Sequence, residues 1–593
     1  MASDKVRRIL KHATCTMVAG LILWAGWFSA IAVADDFYLA AAREIKQRLE
    51  PQLMYGFSYS HAEGLDACDA LVRFYRARRY TLAWVDRHGL LPEAALALSV
   101  LRQAGRQGLH AADYRDPWVD DLLQGTITRP VILGAAFEGQ QAQLDLALTD
   151  LVLRYAYHRD LGRIALEAAP ESGMTPHAHR RDLATELARR LDEGRLAQFF
   201  EGLGPRHAAY RQLRKSLPRY QSIRETGGWP TIDEGPKLQR GDCGFRVAQL
   251  RDRLGITEDA FPASTSVEIC FDADVEAAVA RFQRRHGLAP DGIAGARTLA
   301  ALNVSVEDRI RQIQLNLERW RWMPEELGAR YVMVNIPAFE MQVVEAGKRV
   351  KTLRTIVGQE ERPTPVISST ITYLEINPYW HVPTTIAGKD LLPKIQADAS
   401  YLTRQNFRVF EGWGKDAREI DPLAVNWAAY SEDYFPLRLR QEPAGGNALG
   451  RVKIMFPNDA SVYIHDTPAK GLFNRTSRPF SSGCVRVENP LELVRLLLDR
   501  QGWDEESLVQ AVASQERQVV VLDEPVPVYI VYRTAWAEAG GEVHFRDDIY
   551  GRDRTLLQAM TAGPAVPIAC HTVRPRQPTY LGDFHDGGPR GVF

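Results

Sequence analysis

The hydrophobic pattern of the chain changes its period partway along, and this change constrains the fold more than any other feature. Between residues 36 and about 225, apolar residues recur at spacings of three and four, as in Gln140–Tyr157 and Asp182–Phe200, which predicts amphipathic helices. From Tyr331 to Val344 and at Ile371–Ile376 they alternate, which predicts strands. A chain of 593 residues is too long for one hydrophobic core. We therefore predict a multidomain α+β protein.

The first 34 residues have the pattern of an export signal. Basic residues precede an uncharged run from Ala13 to Ala34, which ends in the small residues Ala32-Val33-Ala34. The run is long enough to cross a bilayer core of about 30 Å, so an uncleaved inner-membrane anchor is the alternative to a cleaved signal peptide. Either interpretation predicts that the rest of the chain is exported to the periplasm.

The charge of the chain excludes one class of partner. The 73 basic residues are balanced by 74 acidic residues, so no global field attracts nucleic acid. We therefore predict no nucleic-acid binding.

Five cysteines lie beyond the export segment: Cys68, Cys243, Cys270, Cys484 and Cys570. None forms a C-x-x-C pair or a Cys/His cluster, so the sequence predicts no structural zinc and no other metal. An odd number in an oxidising compartment leaves at least one thiol unpaired, and Cys484 is the one that chemistry would keep free. Cys243 and Cys270 fall in one small predicted domain, and whether they pair is left open.

Cys484 follows a glycine and lies downstream of a histidine, a pattern typical of a thiol nucleophile. A cysteine attacks an acyl carbon as thiolate, so it needs a proton acceptor and backbone N–H groups aimed at the developing oxyanion. His465 and Gly483 fit these two needs. Tyr463 and His465 belong to an alternating run, so one strand would deliver both to the same face. A buried structural cysteine is the alternative for an isolated Ser-Gly-Cys.

The arrangement of His465 before Ser481, Gly483, Cys484, Val485 and Arg486 resembles the signature of the L,D-transpeptidase (YkuD-like) catalytic domain. The resemblance implies that Cys484 is the nucleophile and His465 the base. It also implies an oxyanion- and substrate-binding role for Gly483, Tyr463, Ser481 and Arg486.

Three positions near the motif depart from the family pattern or compete with it. Many members carry a histidine where this chain has Ser482, so the role of base falls to His465. Asp466 follows that histidine, where relatives often have a small residue, and whether it orients the imidazole is left open. His381, which follows a tryptophan, is a rival base that we rank below His465.

The rest of the chain resembles the other parts of large L,D-transpeptidases. Residues 35–228 are similar to their helical scaffold domain, with a structural role. Residues 236–304 are similar to a small three-helix peptidoglycan-binding domain, on the basis of helices at Val247–Gly255 and Val275–His286 and of Asp291-Gly292.

Residues 308–556 are expected to form a mostly-β catalytic domain. Pro337 interrupts its first alternating run and suggests an edge or a bulge. A capping insertion is expected at about 384–448, with a helix-like Lys389–Tyr401, and a last extended run is expected at Val543–Tyr550. Residues 560–593, where Pro, Gly and Arg interleave, are predicted to be disordered.

The resemblance implies an exported enzyme that forms 3-3 peptidoglycan cross-links by transfer from a tetrapeptide donor through a cysteine thioester, without a cofactor. Its implied partners are donor and acceptor stem peptides, cell-wall synthases and an upstream D,D-carboxypeptidase. Two alternatives stay open. The same thioester could serve lipoprotein attachment, D-amino acid exchange or hydrolysis, or the protein could be a non-catalytic wall-binding protein.

Overall fold

The computed structural model describes residues 36–49, 67–117, 119–120, 135–164, 181–257, 259, 269–413 and 416–562. The first of two compact units comprises the described residues up to Arg163 together with residues 181–204, and the second comprises Ile164 and residues 205–562. The predicted export segment 1–34 and residues 563–593 of the predicted tail lie outside the described residues. Within the described ranges, no helix has the length and hydropathy needed to span a membrane.

The first unit is built around the long helix Ala135–Leu161, as its three-and-four spacing predicts. The buried carboxylate of Asp145 on this helix accepts hydrogen bonds from the Tyr75 hydroxyl at 2.6 Å and from the Trp84 backbone N–H at 2.7 Å. Because a buried carboxylate is costly unless it is hydrogen-bonded, this network fixes the loop around Trp84 to the helix. The other elements of this unit include the helices Ala67–Ala77, Pro92–Arg102, Leu183–Asp192 and Leu196–Glu201 and the strands β1 (Val85–Asp86) and β2 (Gly89–Leu90).

The prediction of one helix over Asp182–Phe200 is wrong, because two helices occupy this segment. Asp182 caps the first, its carboxylate accepting from the Thr185 N–H, and Leu196–Glu201 forms the second. Gly194 lies between them with φ +66°, a left-handed conformation that interrupts a right-handed helix.

Three short helices of the second unit lie between residues 236 and 304, where the sequence predicts a small three-helix domain. They are Phe245–Gly255, Ala273–Arg285 and Ala296–Leu302. Val247, Leu250 and Phe282 are buried in their common core. Cys243 and Cys270 are joined by a disulfide next to the first two helices, which answers the pairing question that the sequence left open.

The helices Ala208–Glu225 and Val306–Arg321 pack together in the second unit, beside its largest sheet. The strands of this sheet are β3 (Arg330–Asn335), β4 (Glu340–Glu345), β5 (Lys348–Gly358), β6 (Ile367–Ile376), β11 (Val452–Met455), β12 (Ile464–His465), β13 (Pro479–Ser481), β14 (Val485–Val487) and β15 (Gln518–Val531). Their order across the sheet is β13-β5-β14-β12-β11-β6-β15-β3-β4, and β4 also pairs with β5, so the sheet closes on itself.

Pro337 lies in a turn between two strands and not within one. β3 and β4 form an antiparallel hairpin, and the short 3-10 turn Ile336–Ala338 connects them. The predicted edge or bulge at Pro337 is therefore wrong. The fixed φ and missing N–H of proline suit the turn, where no ladder hydrogen bond is lost.

The capping insertion has a sheet and a core of its own. The strands of this sheet are β7 (Trp380–His381), β8 (Phe407–Glu411), β9 (Arg418–Ile420) and β10 (Leu437–Gln441). Their order across the sheet is β7-β10-β8-β9. Trp427, Phe435 and Leu439 are buried between this sheet and the neighbouring turns. Trp380 pairs with Gln441, so the two ends of the insertion meet.

The predicted continuous helix Lys389–Tyr401 is wrong in extent. The segment contains Leu392–Ala397 and Ser400–Arg404, separated at Asp398, whose backbone is extended and whose carboxylate accepts from the Ser400 N–H at 2.9 Å. This local side-chain hydrogen bond competes with helix continuation, as is typical of aspartate.

The predicted extended run Val543–Tyr550 is also too long. Only Val543–Phe545 forms a strand, β17, which pairs with β16 (Ala535–Ala537). The Tyr550 hydroxyl instead donates to the Gly358 carbonyl. The helix Arg552–Thr561 follows and extends past the predicted start of the tail at residue 560.

Candidate active site

Four of the residues singled out from the sequence share one face of two neighbouring strands. β12 and β14 are parallel, and His465 lies opposite Arg486. One residue pair earlier are Ile464 and Val485, so Tyr463 lies opposite Cys484 at the strand ends. Residues that face each other across a ladder point to the same side of a sheet. Tyr463, His465, Cys484 and Arg486 therefore point to the same side.

The opposite face of these strands is the hydrophobic core. Ile464, Val485 and Val487 are fully buried there, together with Leu493 and Val494 of the helix Pro490–Leu498. This alternation fixes the register, because a slip by one residue would turn the polar side chains into the core. The same packing that stabilises the sheet thus orients the site.

His465 is a buried, neutral imidazole with one nitrogen occupied. Its Nδ1 lies 2.5 Å from the backbone carbonyl oxygen of Asp466, and since a carbonyl only accepts, Nδ1 is the donor. Burial, and next the Arg486 guanidinium, lower the pKa of His465 to about 3. The ring is therefore uncharged near neutral pH, with Nε2 left as its proton acceptor.

The Asp466 carboxylate faces away from the imidazole. Its Oδ2 accepts the Arg451 N–H at 2.8 Å and its Oδ1 accepts the Lys470 ammonium at 2.5 Å. The orientation that the sequence left open therefore comes from the backbone carbonyl of Asp466 and not from its side chain. The carboxylate holds the start of β11 beside the histidine.

Cys484 is half-buried, and it is the only free cysteine among the residues whose side chains the structure describes. Tyr463 lies opposite it on the neighbouring strand. Burial raises the pKa of the Cys484 thiol, and the polar groups of Tyr463 and the Lys453 and Arg486 charges oppose this only in part. Because its pKa lies above the ordinary value of a thiol, Cys484 is protonated at rest near neutral pH.

The turn before Cys484 is closed by the Ser481 side chain. Its hydroxyl donates to the Cys484 carbonyl oxygen at 2.5 Å and accepts the Gly483 N–H at 3.2 Å. Gly483 has φ +111°, which L side chains rarely adopt. The Gly483 N–H is thus engaged within the turn by the Ser481 hydroxyl.

Thr364 anchors this turn from a loop more than a hundred residues earlier in the chain, and sequence reasoning missed it. Its buried hydroxyl donates to the Gly483 carbonyl oxygen at 2.8 Å and accepts the Gly358 N–H at 2.8 Å. The Thr364 N–H donates to the Tyr550 hydroxyl at 3.3 Å. No motif in the sequence connects Thr364 with Cys484, since only the pairing of β5 with β13 and β14 brings them together.

Ser482, which occupies the position of the histidine found in many relatives, links the site to the insertion. Its hydroxyl accepts from Arg362 Nη1 at 3.0 Å. The same guanidinium pairs with Asp390 of the insertion through contacts of 2.5 and 3.1 Å. Arg362 therefore joins the cysteine turn to the insertion.

Lys453 is a second residue that the sequence analysis missed. It lies opposite His465 on β11, and its ammonium is 4.4 Å from the centre of the Tyr463 ring. Glu375 lies opposite Lys453 on β6 and accepts from Arg517 Nε at 2.7 Å. The row of side chains across the site therefore runs Glu375, Lys453, His465, Arg486.

The rival base His381 lies on the other sheet, on β7 of the insertion. It pairs with Arg440 and is exposed, and its ring contacts Tyr379 at a centroid distance of 6.4 Å. It is not on the strands that carry Cys484. Within the described ranges, no group of three or more His, Cys, Asp or Glu is arranged to hold a metal ion.

Three family models match the chain. Residues 329–526 match the YkuD model, described as "L,D-transpeptidase catalytic domain". Residues 69–217 match "Scaffold domain", and residues 264–302 match "Putative peptidoglycan binding domain". Together with the observed helical regions and the large sheet, these matches confirm the predicted multidomain α+β class.

A curated protein of Haemophilus influenzae, named "Putative L,D-transpeptidase", is 38% identical over 253 residues, which are 42% of this chain and 50% of that protein. The chain thus spans about half the length of the curated relative it matches.

Solved L,D-transpeptidase structures are also similar to the chain. The protein from Stackebrandtia nassauensis is 15% identical, over 51% of this chain and 96% of that one, with a TM-score of 0.19. The protein from Xylanimonas cellulosilytica is 17% identical, over 50% and 99%, with a TM-score of 0.16. Residues 329–526 therefore match the catalytic-domain model of the L,D-transpeptidase (YkuD) family, and they follow segments that match a scaffold domain and a peptidoglycan-binding domain.

Proposed function

We propose that this protein is a periplasmic L,D-transpeptidase that forms 3-3 peptidoglycan cross-links through a thioester on Cys484. The observation that carries the proposal is the common sheet face of Tyr463, His465, Cys484 and Arg486 on adjacent strands. The matched peptidoglycan-binding domain supports wall peptides as the substrate class. The disulfide between Cys243 and Cys270 supports an oxidising compartment.

The first half-reaction forms the thioester. The Cys484 thiol gives its proton to Nε2 of His465 as the sulfur attacks the carbonyl carbon of the third donor residue. The hydrogen bond from Nδ1 to the Asp466 carbonyl keeps the ring in the tautomer that can accept this proton. The bond to the terminal D-alanine then breaks, and the imidazolium returns the proton to the leaving amine.

The second half-reaction transfers the acyl group. The side-chain amine of a diamino acid in a neighbouring stem attacks the thioester, and His465 takes a proton from that amine. The carbon–sulfur bond then breaks, and the imidazolium returns the proton to the departing sulfur, which restores the thiol and the neutral imidazole. Water in place of the amine would give L,D-carboxypeptidase activity from the same intermediate. We assign the insertion, tied to the site through Arg362 and Asp390, the role of limiting water.

The oxyanion donors we propose are the Cys484 N–H and the Tyr463 hydroxyl. The sequence interpretation also included the Gly483 N–H, but this group donates to Ser481 Oγ. Ser481 and Gly483 then shape the turn, and Arg486 faces the reacting groups from β14. A well-placed donor contributes about 3 to 4 kcal/mol to the transition state.

Purified disaccharide tetrapeptides test the reaction. We expect 3-3 linked dimers and free D-alanine with the full-length protein, and neither with Cys484→Ala. Trimmed monomers without dimers would contradict transfer and indicate hydrolysis.

Acylation by a carbapenem tests the nucleophile separately. Intact-protein mass spectrometry is expected to show one adduct on the wild-type protein and none on Cys484→Ala, with unchanged thermal unfolding. An adduct that persists in the variant would remove Cys484 from the proposed role.

A further inference from the structure

Two cations beside Cys484 have no anionic partner among the described residues. Lys453 makes neither an ion pair nor a side-chain hydrogen bond there, and its ammonium packs over the Tyr463 ring at 4.4 Å. Arg486 likewise has no carboxylate partner in the described ranges, and its Nε is buried without a hydrogen bond. Buried or half-buried cations are costly to leave unpaired.

The nearby carboxylate does not balance these charges. Glu375 is buried opposite Lys453 on β6, but its carboxylate accepts from Arg517 Nε at 2.7 Å. The thiol is protonated at rest, so it supplies no negative charge before reaction. The site therefore carries excess positive charge on the face that the substrate must approach, and burial lowers the pKa of Lys453 despite the neighbouring Glu375.

The position of Lys453 indicates which anionic group of the substrate it would bind. Tyr463 lies opposite Cys484 on the neighbouring strand, and the Lys453 ammonium lies over the face of the Tyr463 ring. A donor tetrapeptide ends in a carboxylate on the residue that leaves, only about 4 Å along the chain from the attacked carbonyl carbon. Lysine and arginine form strong, charge-assisted hydrogen bonds with a carboxylate.

We propose that Lys453, together with Arg486, binds the free C-terminal carboxylate of the donor stem and thereby selects donors that end at the fourth residue. This inference rests on the proposed function and adds a specificity-determining residue to it. A donor extended by a fifth residue, or capped as an amide, places a neutral group where the two cations require an anion.

The test compares two synthetic donors that differ only at the terminus, a free carboxylate and a primary carboxamide. With the wild-type protein we expect kcat/KM for D-residue release to be roughly tenfold or more higher for the carboxylate donor. Lys453→Met keeps the apolar stem over Tyr463 and removes the charge. It is expected to lower the ratio of the two kcat/KM values severalfold, with the remaining preference supplied by Arg486, and Lys453→Arg is expected to retain most of the preference.

The ratio of the two kcat/KM values separates recognition of the carboxylate from indirect effects of the substitution on the thiol. Loss of Lys453 also removes a charge that stabilises the thiolate, but that effect slows both donors equally and leaves the ratio unchanged. Lys348→Met, a change of an exposed lysine at the start of β5, is the matched control and should keep the wild-type ratio. Equal rates for both donors with the wild-type protein, or an unchanged ratio in Lys453→Met, would overturn the inference.

A third donor identifies which carboxylate is bound. Amidation of the side-chain carboxylate of the third-residue diamino acid should leave the effect of Lys453→Met intact. If that amidation abolishes the effect instead, the proposed assignment to the C-terminal carboxylate is overturned. Carbapenem acylation of Cys484 in the same preparations distinguishes failure of this inference from failure of the proposed function, because an inert thiol would fail in every arm.

Discussion

The Thr364 hydroxyl donates to the carbonyl oxygen of Gly483 at 2.8 Å. A trans peptide is planar, and its C=O and N–H point in opposite directions. By fixing the Gly483 carbonyl, Thr364 therefore also fixes the direction of the Cys484 N–H, which we assign to the oxyanion. A residue that touches no reacting atom thus sets the geometry of one that does.

Replacing Thr364 by valine is expected to slow acylation of Cys484. Valine has nearly the same shape, but it leaves the Gly358 N–H and the Gly483 carbonyl without their partner. We expect a loss of about 1 to 3 kcal/mol in the free energy of unfolding and an acylation rate lower by roughly tenfold. Denaturant unfolding and the rate of carbapenem adduct formation measure the two effects.

Thr355 supplies the matched control for this change. It is also fully buried, on the neighbouring β5, but its hydroxyl has no hydrogen-bond partner among the described residues. Thr355→Val should leave acylation unchanged and should not lower stability. Equal effects of the two substitutions would contradict the anchoring role of Thr364.

Replacing Gly450 by alanine is expected to displace the Asp466 carboxylate and, through it, the neighbouring His465. Gly450 has φ +61°, and a Cβ there would collide with the Asp466 carboxylate. The left-handed backbone alone costs a non-glycine residue about 1 to 2 kcal/mol. Gly502 has φ +75° with open space around it, so Gly502→Ala carries only that backbone cost. We expect Gly450→Ala to unfold more easily than Gly502→Ala and to acylate more slowly, as followed by thermal unfolding and mass spectrometry.

The pH dependence of thiol alkylation follows from the two pKa shifts. Burial raises the pKa of Cys484 above its ordinary 9.0, so the thiolate fraction falls as pH falls from the alkaline side. Burial lowers the pKa of His465 to about 3, so the ring stays neutral through its ordinary value of 6.5. We expect alkylation of the Cys484 peptide by iodoacetamide to rise steadily with pH, with no step near 6.5. A flat alkylation rate between about pH 5 and pH 7 would instead indicate a thiolate–imidazolium pair.

The Arg362–Asp390 pair predicts a local effect on the insertion. Both groups are partly exposed, so we expect coupling of only about 0.2 to 1 kcal/mol in a double-mutant cycle of Arg362→Gln and Asp390→Asn. Hydrogen exchange should increase at residues 384–391 in Arg362→Gln. The exposed pair Arg404–Asp398 in the same insertion is the control, since it makes no contact with the cysteine turn in the described residues. Equal exchange at residues 384–391 in Arg404→Gln would contradict the link.

The sequence could predict the side chains that lie on one strand but not those that the sheet brings together. Alternation placed Tyr463 and His465 on one face, and the motif added Cys484 and Arg486. Lys453 and Thr364 depend on the pairing of β11 with β12 and of β5 with β14, which hydrophobic period does not specify.

The errors in the predicted elements have local causes. Gly194 interrupts one helical segment through its left-handed backbone. Asp398 interrupts another through a local side-chain hydrogen bond. The apolar spacing continues across both residues. Pro337 interrupts an alternating run because the chain reverses there. In each case periodicity indicates what is buried, while one residue decides where the element ends.

Trp380 pairs with Gln441, so the sixty residues between them leave and rejoin the catalytic domain at neighbouring points. This segment has its own sheet and its own buried core. We expect that such a segment can be exchanged between homologous enzymes, or replaced by a short hairpin, without rebuilding the strands that carry Cys484. Chimaeras joined at these two residues would therefore test directly how the insertion affects the choice between an amine and water as the acyl acceptor.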